Sequence, residues 1–148
     1  MESSNIDKFD QIAGRTFALL YESFPTPRPL LPKDFLDDNL TVEHDFMGEI
    51  PSPESIFVLD SLTWLLNSGF ISAARHNSGL SNAVLTVRGL EVLKQRPHSV
   101  SPSEPEITLG TRLMKAVKTG SGKMVSTAVN QALSIGVSVL LKQHGFSE

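Results

Sequence analysis

The stretch Leu62-Thr-Trp-Leu-Leu-Asn-Ser-Gly-Phe-Ile71 contains the change of hydrophobic period that decides the fold. Before Gly69 the apolar residues recur at steps of three and four, which is the spacing of an α-helix with one buried face. Gly69 can adopt the left-handed conformation that ends a helix, and the residues from 70 to 75 after it are strand-like. The sequence therefore predicts a helix that runs directly into a β-strand.

The start of this helix is marked by Ser52 and Pro53. Serine is a favoured N-cap residue, and proline is favoured at the first helical position, where its missing N–H costs nothing. We therefore predict a helix that ends at Ser68 and is preceded by a loop that begins at Glu49.

Residues 83–86 form a second strand-like segment, separated from the first by Asn77, Ser78, Gly79 and Asn82. This spacing predicts a β-hairpin with a loose tip. Thr86 is placed to cap a further helix that ends before Pro97.

The N-terminal segment has apolar residues at helical spacing and predicts a helix from Asn5 to Ser23. The prolines that follow break it, because proline lacks the amide donor and clashes with the preceding turn. A short second helix from Lys33 to Asn39 is predicted next.

Two segments resemble the winged-helix superfamily, in particular small bacterial and phage winged-helix proteins. They are residues 62–71 and Leu85-Thr-Val-Arg-Gly-Leu-Glu-Val-Leu93. The resemblance covers roughly residues 5–97. It implies a fold often used to bind duplex DNA, with the third predicted helix in the major groove and the wing near the backbone. A fold does not establish a function, so the site is argued separately.

After this first module (1–97), a segment rich in proline and serine predicts a linker at 98–107. Two helices separated by Gly120 and Gly122 follow, the second from Ser121 to Gln143, and they predict a helical hairpin at 108–148. A hairpin of this size is too small for its own core and must pack on the first module or on another chain. The expected fold class is mainly α with a small β hairpin: a winged-helix module plus a C-terminal helical hairpin.

The 148 residues carry a formal net charge of -3 and include no cysteine, which excludes disulfides and thiolate chemistry. The N-terminus lacks the basic start and apolar core of a signal peptide, so we expect a cytoplasmic protein. The longest uncharged stretch, Met124 to Leu141, separates its polar and apolar residues onto two sides of a helix. It predicts an amphipathic helix rather than a membrane span.

Charge is divided unevenly along the chain. Between Lys33 and Arg75 there are eight acids and no lysine or arginine, whereas from Arg75 to Lys123 there are eight cations and three acids. A helix that reads DNA needs cations for phosphates and suitable donors for base edges. The third predicted helix instead presents acids and aromatic residues opposite its leucines.

Two aromatic residues seven apart on that helix, Phe57 and Trp64, have polar neighbours of the kind that frame protein-interface anchors. Whether they face a partner or are covered by the C-terminal helices is left open. The candidate protein-interface residues are Phe57, Asp60, Ser61, Trp64, Asp37, Asp38 and Asp45.

If DNA is bound, the wing, the fourth helix and the basic C-terminal segment would provide the contacts. Ordinary solvent-exposed lysines and arginines are the alternative explanation. The candidate DNA contacts are Arg75, His76, Asn77, Asn82, Arg88, Arg112 and Lys115.

Small residues at four-residue spacing on the last helix would permit close approach of another helix, either within the chain or in a homo-oligomer. The candidate oligomer residues are Ala128, Ala132, Leu133, Gly136 and Leu140.

No catalytic motif is complete. Lys118-Thr-Gly-Ser-Gly-Lys123 lacks the spacing of a phosphate-binding loop and predicts a glycine turn between helices. The four histidines stand singly, without metal-ligand spacing. We therefore expect no enzyme activity, no cofactor and no metal.

These patterns favour a non-catalytic winged-helix binding protein that acts through protein–protein interaction, as an adaptor, inhibitor or immunity-type partner of a basic protein, and that self-associates. The alternative is a dimeric winged-helix transcriptional regulator that binds DNA.

Overall fold

The computed structural model describes residues 4–97 and 107–143. Five α-helices and five β-strands follow one another along these segments. The helices are α1 (Asn5–Ser23), α2 (Pro53–Asn67), α3 (Val87–Leu93), α4 (Leu109–Thr119) and α5 (Gly122–Gln143). The strands are β1 (Arg28–Leu30), β2 (Thr41–His44), β3 (Gly48–Pro51), β4 (Ile71–His76) and β5 (Gly79–Leu85).

Helix α1 has the predicted bounds. The Ser4 hydroxyl oxygen accepts a hydrogen bond from the Asp7 amide at 3.1 Å and caps its start. On its apolar side Phe17 and Leu20 are buried in the core, whereas Ile6 in the first turn is 68% exposed. The middle and the end of the predicted face are therefore the part that folding removes from water.

The predicted helix from Lys33 to Asn39 is wrong. Only a single 3-10 turn forms at Pro32–Asp34, where the Asp34 carboxylate accepts from the Leu31 amide at 2.9 Å. Asn39 then has a φ of 57°, a left-handed conformation that an α-helix does not accommodate.

The predicted loop at Glu49 is also wrong, because β2 and β3 form a separate two-stranded antiparallel hairpin. Val42 pairs with Ile50 and Glu43 pairs with Glu49. Gly48 has a φ of 70° and closes the turn, a conformation that favours glycine. We call residues 41–51 the acidic hairpin.

Helix α2 starts as predicted. The Ser52 hydroxyl accepts from the Ser55 amide at 3.0 Å, and Pro53 occupies the first turn. Val58, Leu62 and Leu65 are buried against the core. This helix is the third predicted helix of the sequence.

The second, larger sheet has three antiparallel strands in the order β1-β5-β4. Strands β4 and β5 form the predicted hairpin, with Ile71 opposite Leu85. The predicted loose tip is wrong, because Gly79 already pairs with His76 and only two residues form the turn. Strand β1 was not predicted from the sequence. It adds an edge in which Leu30 pairs with Leu80.

The junction of α2, β4 and α3 is held by Thr86, the predicted N-cap of α3. Its hydroxyl accepts from the Gly89 amide at 3.0 Å and donates to the Gly69 carbonyl at 2.6 Å. A Cβ at Gly89 would come within 2.1 Å of the Phe70 carbonyl oxygen, so close approach requires glycine there. One threonine therefore joins the start of α3 to the end of α2.

Helices α4 and α5 form the predicted helical pair and pack against α1. Leu113, Val125 and Val129 belong to the same hydrophobic cluster as Phe17 and Leu65. The helical pair thus shares a core with the rest of the chain. At this level the fold class is confirmed: mainly α with a small antiparallel sheet.

Candidate interaction surface

The outward-facing side of α2 carries two exposed apolar side chains around an acid. Ile56 is 48% exposed and Trp64 is 49% exposed, and Asp60 lies between them on the same side of the helix. Together with Asn67, these residues are called the outer face of α2. Ile56 was not predicted as an interface residue, because only the aromatic residues of this helix were considered as apolar anchors. Its helical position nevertheless places it beside Asp60.

Trp64 is supported from α1 rather than covered by the C-terminal helices. Its ring packs edge-on against Phe9, with centroids 5.3 Å apart and an interplanar angle of 83°. An edge-to-face aromatic pair of this kind favours one orientation of the indole. Half of the side chain still meets solvent, so the outer face of α2 presents an oriented aromatic group.

Two other predicted interface residues have different environments. Phe57 is half-buried, and its side chain lines the cleft described below. Ser61 is 5% exposed, and its hydroxyl donates to the Phe57 carbonyl at 2.8 Å. The expectation that Ser61 lies on the surface is wrong, because its position in the helical turn points toward Leu62 and the core.

The remaining predicted interface residues are exposed acids. Asp37 and Asp38 lie between the 3-10 turn and β2, and Asp45 lies in the turn of the acidic hairpin. They are distributed over the region of the chain that has no cation. The acidic character predicted from the sequence is therefore displayed at the surface.

The tip of the acidic hairpin carries apolar residues that sequence reasoning missed. Phe46 is 93% exposed and Met47 is 65% exposed, directly after Asp45. The signal was available in the β-branched Thr41 and Val42 before a turn that ends in glycine. It was missed because residues 41–48, between the predicted helix and the predicted loop, were assigned to no element.

An apolar cleft of about 1020 Å³ lies where the starts of α2 and α5 meet α1. Its apolar lining comes from Ile12, Phe35, Leu36, Phe57 and Val58. Its charged lining comes from Asp7, Lys8, Glu54 and Lys123. Pockets of roughly 300–1,000 Å³ that are mostly apolar, with a few charged groups, are typical of binding sites.

The DNA-contact candidates fall into separate places. Arg75, His76 and Asn77 are exposed together at the turn of the β4–β5 hairpin. Asn82, also exposed, lies farther along β5, and the His76 Nε2 atom is 2.7 Å from the Ser81 hydroxyl.

The other three candidates are not part of that turn. Half-buried Arg112 and exposed Lys115 lie on α4, which packs mainly against α1 and α5. Arg88 is engaged within the chain: its Nη1 donates to the Ser68 carbonyl at 2.7 Å. Arg88 is therefore engaged within the chain, and Arg112 and Lys115 lie on a different element from the β4–β5 turn.

The small residues proposed for oligomer contacts face the interior. Ala128, Ala132 and Gly136 are buried, and a Cβ at Gly136 would lie 2.5 Å from the Phe70 ring. Leu133 is half-buried against the core, and the side chain of Leu140 lies outside the described part. The four-residue spacing thus serves packing within the chain, which is the intrachain alternative left open above.

Gly120 ends α4 with a φ of 74°, and the Ser121 hydroxyl accepts from the Met124 amide at 3.3 Å. The predicted glycine turn within 118–123 therefore forms at Gly120 and Ser121, between α4 and α5. Within the described ranges, no group of three histidine, aspartate or glutamate side chains is arranged to hold a metal ion. His98 and His144 lie outside those ranges.

Among residues 4–97 and 107–143, no helix has the length and apolar character needed to cross a bilayer. Comparison of the chain with protein-family models, curated proteins and solved structures finds no match. The winged-helix resemblance therefore stays a prediction that rests on the residues of segments 62–71 and 85–93.

Proposed function

We propose that this chain is a cytoplasmic, non-catalytic protein of winged-helix type that binds another protein through the outer face of α2, and that it also self-associates. The observation that carries the proposal is the pair of half-exposed apolar side chains, Ile56 and Trp64, around Asp60. Aromatic anchors surrounded by polar groups are typical of residues that dominate binding energy at protein interfaces.

The charge of the surrounding surface indicates the chemistry of the partner. Asp37, Asp38, Asp45 and Asp60 are all exposed, and residues 34–74 contain no lysine or arginine. Complementary charge speeds association and excludes wrong partners. A basic protein is therefore the partner that fits, and an adaptor, inhibitor or immunity-type role follows from that choice.

The proposal is tested with variants of the exposed apolar pair. The wild-type chain is used to capture proteins from a lysate of its source, and the captured protein is then purified and titrated. We expect Trp64→Ser and Ile56→Ser each to raise the dissociation constant by about tenfold or more, because each removes an exposed apolar contact. Added salt is expected to slow association.

Val87→Ser is the matched control, because Val87 is 78% exposed and lies on a different helix, at the start of α3. It removes a comparable exposed apolar group. Equal affinity of Trp64→Ser and wild type for the purified partner would refute this surface.

A specific observation also supports the DNA-binding regulator as a second candidate. The β4–β5 turn exposes Arg75, His76 and Asn77 side by side. The order α2–β4–β5–α3 agrees with the winged-helix resemblance, whereas β2 and β3 stand where it predicts the second helix. Against it, the outer face of α2 carries an acid and no cation where a recognition helix needs donors and positive charge. Protein binding is therefore the better supported proposal.

A further inference from the structure

Two apolar features have no partner among residues 4–97 and 107–143, and they complement each other in polarity. One is the tip of the acidic hairpin, formed by Phe46 and Met47, and the other is the cleft between α1 and the starts of α2 and α5. One projects and the other is concave.

The hairpin tip is held in a defined geometry. His44 Nδ1 accepts hydrogen bonds from the Phe46 amide at 3.2 Å and from the Met47 amide at 3.3 Å. These bonds fix the turn that carries both apolar side chains. A fixed turn loses less conformational entropy on binding than a flexible loop does.

The base of the hairpin is tied to the start of α2. The Leu40 carbonyl accepts from the Ser52 amide at 3.0 Å and from the Ser55 hydroxyl at 2.7 Å. Pro51 ends β3, and Pro53, two residues later, lines the cleft. The hairpin therefore originates beside the cleft, and its tip extends about 13 Å from Pro51 at the usual rise of a strand.

We propose that Phe46 and Met47 of one copy insert into the cleft of a second copy, and that the second copy returns the same contact. This inference rests on the self-association in the proposed function, and it identifies the hairpin tip and the cleft as the surfaces that form the contact. The tip does not occupy the cleft of its own chain, because Phe46 is 93% exposed.

A cleft of about 1020 Å³ is large enough for two side chains, and its apolar lining removes them from water. The projecting apolar tip and the concave apolar cleft belong to the same chain. A second copy of this chain can therefore fill the cleft.

Charge adds orientation to the contact. Glu43, Asp45 and Glu49 are exposed around the tip, and the cleft presents Lys8 and Lys123, both exposed. The cleft also presents Asp7 and Glu54, so the contact requires the hairpin acids to lie nearer to Lys8 and Lys123 than to these two acids. Opposite charges that meet and like charges that repel fix the register of an interface.

Reciprocal insertion closes the assembly. Because the hairpin originates beside the cleft, a two-fold axis can relate two copies that each donate a tip and each accept one. Such an isologous contact ends at a dimer, whereas a one-way contact would extend into a filament. Because each copy contributes only two apolar side chains to the cleft of the other, we expect a weak dimer that dissociates in the micromolar range.

The test measures mass against concentration by sedimentation velocity, from about 5 µM to about 500 µM. We expect wild type to rise from 16.1 kDa toward twice that mass. Phe46→Ser combined with Met47→Ser is expected to stay monomeric with unchanged helicity, because both residues are exposed in the folded chain.

Val137→Ser combined with Leu141→Ser is the matched control, because both residues are exposed on α5. It removes apolar surface elsewhere and is expected to retain the dimer. A control that loses the dimer while the tip variant keeps it would place the interface on α5 and overturn the inference.

A charge exchange tests the cleft. Lys8→Glu with Lys123→Glu is expected to weaken the dimer by about tenfold or more, and the further changes Glu43→Lys and Asp45→Lys are expected to restore it. Phe46→Ser with Met47→Ser leaves the cleft intact, and Lys8→Glu with Lys123→Glu leaves the tip intact. When these two variants are mixed, we expect a heterodimer in which the tip of the second variant occupies the cleft of the first.

The outcomes distinguish self-association itself from the contact between the tip and the cleft. A wild-type chain that stays monomeric at the highest concentration overturns both self-association and this inference. A wild-type dimer that the tip variant leaves intact overturns the inference alone. Restoration by the charge exchange supports the inference, and a folded exchange variant that remains monomeric contradicts the proposed charge pairing.

Discussion

The Arg88 guanidinium lies over the ring of Phe70, with Cζ 4.7 Å from the ring centroid. The same ring packs against Phe17 of α1, with centroids 5.7 Å apart, and lies beside Gly136 of α5. Phe70 is thus contacted by residues of α1, α3 and α5. This makes Arg88 part of the packing at the end of α2.

Replacing Arg88 is therefore expected to change stability. Arg88→Ala removes the cation–π contact and the hydrogen bond to Ser68, for an expected loss of about 1–3 kcal/mol in the free energy of unfolding. Urea denaturation followed by circular dichroism measures the loss. Arg75→Ala, which changes an exposed residue in β4, is the control and is expected to stay within about 0.5 kcal/mol of wild type. An Arg88→Ala chain as stable as wild type would contradict this assignment.

Gly136→Ala is expected to destabilise the chain because its new Cβ would lie 2.5 Å from the Phe70 ring. Overpacking of this kind typically costs about 1–3 kcal/mol, which outweighs the higher helix propensity of alanine. Ser138→Ala, at an exposed position on the same helix, provides the comparison and is expected to be neutral or slightly stabilising. A thermal unfolding midpoint for Gly136→Ala at or above that of wild type would show that α5 does not pack closely on Phe70.

Asp10 is 3% exposed, and its carboxylate accepts a hydrogen bond from the Ser126 hydroxyl. This bond joins α1 to α5. We expect Ser126→Ala to lower the free energy of unfolding by about 1–3 kcal/mol, because a buried acceptor loses its donor. Thr127→Ala is the control, since its exposed hydroxyl bonds only within α5, to the Lys123 carbonyl.

A double-mutant cycle isolates the pair. Asp10→Ala, Ser126→Ala and the combined variant are compared by urea denaturation, and a coupling energy of about 0.5 kcal/mol or more is expected for residues in contact. Strictly additive losses would argue against a direct bond between the two side chains.

Binding to duplex DNA separates the two proposed functions. Fluorescence anisotropy of a labelled mixed-sequence duplex is measured between about 50 and 200 mM salt, the range over which phosphate contacts weaken strongly. We expect no binding at the lowest salt, because the outer face of α2 is acidic. Micromolar binding with a steep negative salt dependence, weakened by Arg75→Ala, would instead favour the regulator.

Local signals in the sequence determined where most helices begin and end. Ser52 with Pro53, Thr86, Gly69 and Gly120 act over a single turn through one cap bond or one left-handed residue, so neighbours in the chain suffice to predict their effect. The helix predicted from Lys33 to Asn39 failed because Pro32 and Asp34 stabilise only one turn and Asn39 reverses the backbone.

The tertiary structure alone decided which side chains are available to a partner. Ser61 and the series Ala128, Ala132, Gly136 have spacings that fit either an interface or a core, and Arg88 fits either a phosphate or a ring. Their surroundings come from residues distant in the chain, as Phe70 does for Gly136. The same holds for the cleft, whose walls come from three separate helices and from Phe35 and Leu36. The sequence determined the amphipathic faces and the uneven charge, while long-range packing decided which apolar groups, Trp64 and Phe46 among them, remained exposed to water.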